Sequence, residues 1–269
     1  MKGLIVGLGR AGIRHRSILQ SMRVDCRVVD IDPCIWQPDN YFYFTLEEGL
    51  ADYKPDFVVI ATPPDVHLEQ IEQCIEADIP VLCEKPLCGI GQLERAKALP
   101  KDAKVAVAYN YRFHPTLNKA WEMPDSINFG WTCISDQHRD SLPEWGIILD
   151  HLSHTFDILL WMAGEVSLYS AIVEKGKNSE TVYVVGRVGK HPLNIIDRIN
   201  FGLSDKTACI ICPKGFIDIP PSEKMFESMW KNFLNNVENI GLPYYPNIET
   251  SIRVQELLEE ATELAGDYI

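Results

Sequence analysis

The first twelve residues constrain this chain most. Leu4 to Val6 form a short apolar run that leads straight into Gly7-x-Gly9-x-x-Gly12, and Ile13 to Met22 can wind as a helix behind it. In a dinucleotide site each glycine has its own task. Gly7 permits the tight turn, Gly9 lets the backbone approach a pyrophosphate, and Gly12 lets helix and strand pack closely. The pyrophosphate then lies against N–H groups at the positive end of the helix. Alone, the pattern is weak, and its bland reading is a glycine-rich turn. Here it follows a strand, opens a helix, and precedes a second apolar strand, Cys26 to Val29, that ends on Asp30. Asp30 lies 18 residues past Gly12, near the distance expected of an acid that bonds ribose hydroxyls. It would accept from a 2′-OH and repel a 2′-phosphate, and Ile31 beside it brings no positive charge. NAD is therefore expected over NADP, with Asp32 able to share the role.

The strand–helix alternation continues. Tyr41 to Phe44 reads as a short strand, Thr45-Leu-Glu-Glu48 as a cap with acids in a first helical turn. Asp56 to Ala61 is a continuous apolar run, the mark of a strand buried on both faces of a parallel sheet. Val66 to Ala77 and Gly91 to Leu99 read as helices, Pro80 to Cys83 and Lys104 to Ala108 as strands. This grammar predicts a doubly wound parallel sheet of the Rossmann kind, whose ligands bind beyond the carboxyl ends of the strands. Those ends carry Gly7, Asp30, Thr62-Pro63-Pro64, Glu84-Lys85-Pro86 and the stretch Asn110 to Pro115.

From about Asp125 the texture changes. Ile127 to Ile134 reads as a strand and Gly146 to Met162 as a helix ended by Gly164. Val166 to Val173, Thr181 to Val188, Leu193 to Phe201 and Lys206 to Ile211 follow with short turns, the grammar of an antiparallel meander. Ser222 to Val237 is amphipathic, its Phe226, Met229/Trp230 and Phe233/Leu234 stripe read as core, and Asn247 to Leu264 is a last helix. The expected plan is α/β: a dinucleotide-binding domain over 1–120, then over 121–269 a substrate-binding and oligomerisation domain with a mostly antiparallel open sheet, whose C-terminal helix can pack back on the first domain. Neither sheet face there looks fully polar. Val182, Val184 and Ile196 are apolar on strands that also carry Tyr183, Val185 and Ile195 facing the other way. A homo-oligomer, dimer or tetramer, is expected.

Composition excludes several classes of function. A net charge of −13 opposes nucleic acid, whose phosphates would be repelled. The apolar run after Lys2 is too short for a signal peptide, and no stretch approaches the ~20 apolar residues of a membrane span. A soluble, cytoplasmic protein is expected. Of the 8 cysteines, Cys26, Cys83, Cys133 and Cys209 sit in strand-like runs, where a reduced cysteine behaves as a small hydrophobe. Cys209 and Cys212 have no second pair and would point to opposite strand faces, so a metal knuckle is not expected.

Two stretches carry chemistry. Glu84-Lys85-Pro86 places a lysine at the cofactor edge. On the later helix, Asp150, His154 and Asp157 fall at i, i+4 and i+7, one polar stripe on an apolar helix. A lone histidine there would read as a satisfied core imidazole. An aspartate one turn away favours an oriented acid–base pair.

With these residues in place the chain resembles the glucose–fructose oxidoreductase/inositol dehydrogenase/MocA family. The likeness rests on Gly7-x-Gly9-x-x-Gly12, Ala61-Thr-Pro-Pro-Asp-Val-His67, Glu84-Lys85-Pro86, Tyr111-Arg112-Phe113-x-Pro115 and Asp150-x-x-x-His154. It implies a two-domain sugar or polyol dehydrogenase, with the nicotinamide between the parallel sheet and the open antiparallel sheet. It also implies catalytic roles for Lys85 and His154, with Asp150 binding or orienting the substrate. The cofactor set becomes Gly7, Gly9, Arg10, Ala11, Gly12, Asp30, Ala61, Thr62, Pro63, His67, Glu84 and Lys85. Tyr111 and Arg112 join Asp150 and His154 on the substrate side, with Asn110 a further candidate; for Arg112 a structural ion pair is an equal reading. The chain departs from the family in being shorter after His154 and in carrying Trp145 where a second glycine is usual.

Charge then dictates the division of labour. Oxidising a secondary alcohol releases a proton, which an imidazole of ordinary pKa ~6.5 can take at neutral pH. A charged lysine stabilises the developing oxyanion. Two other classes compete: a metal-dependent hydrolase built on Asp150, His151, His154 and Asp157, and a non-catalytic dinucleotide sensor. No metal is expected, because no further ligand cluster has suitable spacing.

Overall fold

Continuous apolar runs of four or five residues can only be buried on both faces, and the first half of the chain uses them to build a parallel sheet. The computed structural model describes residues 1–35, 42–122, 131–138, 146–200, 207–239 and 243–266. Its N-terminal elements are β1 (Lys2–Val6), α1 (Arg10–Ser21), β2 (Asp25–Val29), β3 (Phe42–Tyr43), α2 (Leu46–Tyr53), β4 (Phe57–Ile60), α3 (His67–Glu76), β5 (Val81–Cys83), α4 (Leu93–Lys97) and β6 (Val105–Val107). All strands pair in parallel, in the order β3-β2-β1-β4-β5-β6. The order reverses between β1 and β4, the switch point at which such sheets bind ligands. Every residue of β4 is fully buried. Thr45 caps α2 in a reciprocal box, accepting from Glu48 N while Glu48 Oε2 accepts from Thr45 N, both at 3.2 Å.

The remaining elements are α5 (Pro115–Glu122), β7 (Trp131–His138), a π-helical turn (Ile148–Leu152), α6 (Ser153–Ala163), β8 (Val166–Lys175), β9 (Ser179–Val188), β10 (His191–Asn200), β11 (Thr207–Cys212), β12 (Gly215–Asp218), α7 (Lys224–Glu238) and α8 (Ile248–Ala265). The second sheet runs β12-β11-β7-β10-β9-β8. The meander expected over β8, β9 and β10 is there, but β7 inserts beside β10 in parallel, so the sheet is mixed and mostly antiparallel. Its faces differ from the expected grouping. Ile195 pairs with Val184, whereas Ile196 pairs with Tyr183. Cross-strand partners share a face, so Ile195 joins the buried side and Ile196 the other.

The chain divides into two compact units, Met1–Ala108 with Glu227–Ile252, and Tyr109–Phe226 with Arg253–Ile269. The expected boundary at residue 120 is thus displaced, and the first unit is discontinuous. The physical reason lies in α7, whose Trp230 and Phe233 rings lie 5.8 and 5.7 Å from the Phe57 ring of β4. Trp145, Tyr41, Gly241 and the outer parts of the strands expected at 127–134, 193–201 and 206–211 fall outside the described residues. No helix among the described residues is long and apolar enough to cross a membrane.

Candidate active site

In the first unit the site is built on the turn after β1. Gly7 adopts φ +89°, and its N–H donates to Val29 O at 2.8 Å, so the turn is locked onto the neighbouring strand. A Cβ on Gly12 would stand 1.9 Å from Gly7 O, which leaves room for glycine alone. At Gly9 a Cβ would meet nothing within 4 Å. That open side, at the N-terminus of α1 where Arg10 and Ala11 begin the helix, is what a pyrophosphate needs. Asp30 accepts from Leu8 N through Oδ2 at 2.7 Å and from Asp32 N through Oδ1 at 2.9 Å. Each oxygen of a carboxylate has two lone pairs, so a bidentate bond to a ribose diol remains open to it. These residues fit a dinucleotide.

Two loops complete this edge. Ala61 N donates to Val6 O at 2.8 Å, carrying Thr62 and Pro63 past the end of β4. Glu84 N donates to Ile60 O at 2.8 Å, which does the same for Glu84 and Lys85 past β5. His67, expected among the cofactor contacts, is fully buried. Its Nδ1 lies 2.9 Å from Pro86 O and its Nε2 2.9 Å from Thr62 O. A neutral imidazole donates through one nitrogen only, so His67 bonds one of these carbonyls, lies against the other, and sits between the two loops. Burial lowers its pKa, and the two carbonyls oppose that shift.

The stretch Asn110 to Pro115, which follows β6 in the chain, belongs to the second unit. Arg112 is buried and grips Asp157, Nε donating to both oxygens at 2.9 Å and Nη2 to Oδ1 at 2.6 Å. The structural ion pair is thus what the guanidinium makes. Burial raises the Asp157 carboxyl to about 6, and the guanidinium restrains that rise. Asn110 is also buried, and its Oδ1 has no hydrogen-bond partner among the described residues.

The polar stripe expected on a regular helix is also altered. Ile148–Leu152 is a π turn, and α6 begins only at Ser153. A π turn shifts the phase of what precedes it, and such turns recur at functional sites. Asp150 and His151 sit inside the turn, both buried, with His151 Nε2 3.7 Å from Asp150 Oδ2. Asp157 faces Arg112. A cavity of about 400 Å3, counting its open mouth, is lined by His151, His154, Thr155 and Ile158 from this segment. Tyr111, Cys133, Asp197 and Ile219 are also in its wall. The Tyr111 ring meets that of His154 edge-on at 4.9 Å.

Asp197 is the group that sequence reasoning missed. It is 1% exposed and stands on β10 among Leu193, Ile195 and Ile199. Thr155 Oγ1 donates to its Oδ2 at 2.9 Å, while Oδ1 has no hydrogen-bond partner among the described residues. Burial pushes its carboxyl up to about 7 against the pull of that hydroxyl. Burial, and then the charge of Asp197, raise the Tyr111 phenol and the Cys133 thiol. All eight cysteines are free thiols. Among the described residues no group of three or more His, Cys, Asp or Glu side chains is arranged to hold a metal ion.

Comparison with known proteins agrees with this geometry. An inositol 2-dehydrogenase of Corynebacterium glutamicum is 29% identical over 140 residues, which cover 47% of this chain and 41% of that protein. The chain therefore matches less than half the length of that relative. The structure of GenD2 from gentamicin A biosynthesis, in complex with NAD, superimposes with a TM-score of 0.80 at 20% identity, covering 99% of this chain and 94% of that one. Scyllo-inositol dehydrogenase from Lactobacillus casei, with bound NAD(H) and scyllo-inositol, gives a TM-score of 0.79 at 16% identity, covering 98% of this chain. It is 96% covered in turn. At such identities the two structures establish the fold. Residues 1–111 match the model of the glucose–fructose oxidoreductase/inositol dehydrogenase/MocA oxidoreductases with an NAD-binding Rossmann fold.

Proposed function

We propose that this chain is an NAD-dependent oxidoreductase acting on a hydroxyl or carbonyl of a sugar, inositol or other polyol. The observation that carries the reading is the carboxyl edge of the first unit. There the Gly7–Gly12 turn, Asp30 and Glu84-Lys85 meet the needs of a dinucleotide within a stretch that matches NAD-binding oxidoreductases. Relatives named inositol 2-dehydrogenase, and a rhizopine catabolism protein MocA of Rhizobium meliloti, support a polyol substrate.

The nicotinamide supplies the acceptor or donor of the hydride when bound. The chain's own residues do the rest. The first N–H groups of α1 hold the pyrophosphate, and Asp30 takes the ribose hydroxyls. Lys85 stabilises the oxyanion that develops on the substrate. His154 takes the hydroxyl proton, and Asp150 orients the substrate beside it. Tyr111, Asn110 and Asp197 offer polar atoms to further hydroxyls. Arg112 acts indirectly, by fixing Asp157 on α6 one turn from His154.

The metal-hydrolase alternative is disfavoured by this ion pair, since the buried Asp157 carboxylate faces the Arg112 guanidinium. Purified protein should be incubated with NAD and a panel of inositols, other polyols and nucleotide-linked sugars, and scored by nicotinamide absorbance. Turnover on a polyol is expected. A failure to bind either nicotinamide dinucleotide in calorimetry would overturn the reading.

A further inference from the structure

We propose that Trp230 and His15 are positioning residues for the Glu84-Lys85 corner, joined to it by a chain of hydrogen bonds that converges on the Glu84 carboxylate. His15 lies on α1, three residues after Gly12, and both it and Trp230 are fully buried. Trp230 Nε1 stands 3.1 Å from His15 Nδ1. An indole N–H can only donate, so Nδ1 is the acceptor and the imidazole proton sits on Nε2. Nε2 is 2.9 Å from Glu84 Oε1 and therefore donates to it. The other carboxylate oxygen, Oε2, accepts from Lys85 N at 3.2 Å. One donor-only group thus sets the direction of both bonds from the indole to the carboxylate, which the Lys85 amide meets from the other side.

The rings are held as firmly as the protons. Trp230 meets His15 edge-on at 5.4 Å, and Phe57 and Phe233 each lie 5.8 Å from the indole. The Glu84 side chain is 14% exposed, and a carboxylate so far out of water needs donors. His15 and the Lys85 amide supply two. With the carboxylate pinned from both sides, the backbone from which the Lys85 side chain departs has one orientation. His15 rides on the helix whose N-terminus faces the open side of Gly9, so the same imidazole registers that helix against the lysine. Orienting partners of this kind matter because a misplacement of about 1 Å at a reacting group costs on the order of 10²-fold in rate. The inference rests on the reading of Lys85 as the oxyanion stabiliser, but its geometry can be tested without turnover.

Trp230→Phe keeps the ring and removes one N–H, and His15→Phe removes both bonds of the imidazole. In 15N spectra of the cofactor-free protein, His15 should carry its proton on Nε2 in the wild type and populate the other tautomer in Trp230→Phe. The Lys85 amide should lose hydrogen-exchange protection in both variants. On a verified substrate kcat should fall by ~10–100-fold with little change in KM for NAD. The double variant should be no slower than His15→Phe, because one chain is broken once. A wild-type proton on Nδ1, or undiminished Lys85 amide protection in folded variants, would sink the proposal. So would a double variant whose losses multiply. Absence of turnover in wild-type protein with the spectroscopic changes intact would count against the function of Lys85 and leave the hydrogen-bond chain standing.

Discussion

The Thr155 hydroxyl donates to Asp197 Oδ2 across 2.9 Å, one residue along α6 from His154. It supplies one of the donors that an almost fully buried carboxylate requires, and the price of the burial is a carboxyl that ionises only at about 7. An unfolded aspartate loses its proton near ~4. Between ~4 and ~7 the folded state therefore binds a proton that the unfolded state has released, and stability falls as pH rises through that window. The span corresponds to ~4 kcal/mol. Asp197→Asn should remove this slope, so its gain in stability over wild type grows from pH 4 to pH 8 in denaturant titrations. Parallel pH profiles for the two proteins would contradict it.

The Arg112–Asp157 pair is almost fully withdrawn from water, its side chains 3% and 1% exposed. Breaking such a pair from one side leaves a buried charge and costs about 3–5 kcal/mol. Arg112→Met should lower stability by that order, more at pH 8 than at pH 5, since Asp157 can neutralise itself by taking a proton at the lower pH. Arg112→Met/Asp157→Leu should recover much of the loss. Thermal melts of the three proteins decide the matter, and a double variant as unstable as the single one would speak against the assignment.

Cofactor choice should turn on Asp30. Asp30→Ser keeps a hydroxyl partner for Leu8 N but withdraws the charge that repels a 2′-phosphate. NAD affinity should fall by ~10-fold and NADP affinity rise, on the scale of a hydrogen bond to a charged group. Titration calorimetry with both dinucleotides checks this, and tighter NADP binding by the wild type would refute it.

His154→Ala should lower turnover ~10²–10⁴-fold, the worth of a placed general base. Lys85→Ala should cost ~10²–10³-fold, the worth of one donor to an oxyanion. The double variant should retain far more activity than the product of the singles, because groups that act as a unit are not additive. Near-normal turnover in both single variants would remove these residues from the chemistry.

The unburied face of the second sheet carries a row of apolar side chains. Ile172, Tyr183, Ile196 and Ile134 are cross-strand neighbours in sequence across β8, β9, β10 and β7. Tyr169, Ile172, Val185 and Phe216 are 59, 48, 46 and 68% exposed. A second copy of the chain is expected to cover this face. Ile172→Asp should then shift the mass by light scattering at micromolar concentration from oligomer to monomer. A monomeric wild type would dispose of the idea.

Much of this was legible in residue order. The parallel sheet announced itself because strands buried on both faces have no polar residues to confuse the period, and the glycine turn lies at its switch point. Asp197 was missed although its spacing marks it. It shares the alternation of Leu193, Ile195 and Ile199, so the spacing alone puts a carboxylate on the buried face. The π turn at Ile148–Leu152 was not legible, since its residues read as ordinary helix and only the tertiary fit selects the wider turn. Trp230 read as core, and it is core; nothing in the spacing reveals that its one polar atom finds a histidine 215 residues away. The grouping of Glu227–Ile252 with the first unit was not legible for the same reason, because it rests on long-range contacts with no local mark.

That return has a consequence for how the protein is made. A ribosome completes Ala108 well before it reaches Glu227, and at ~5–20 residues per second the interval is ~6–24 s. Throughout it the emerging parallel sheet lacks the indole and phenyl rings that close over Phe57, and His15 lacks the donor that fixes its tautomer. The dinucleotide-binding unit is encoded first but finished late. Its nascent form is a species for chaperones to shield, and translation past residue 252 is the event that seals it.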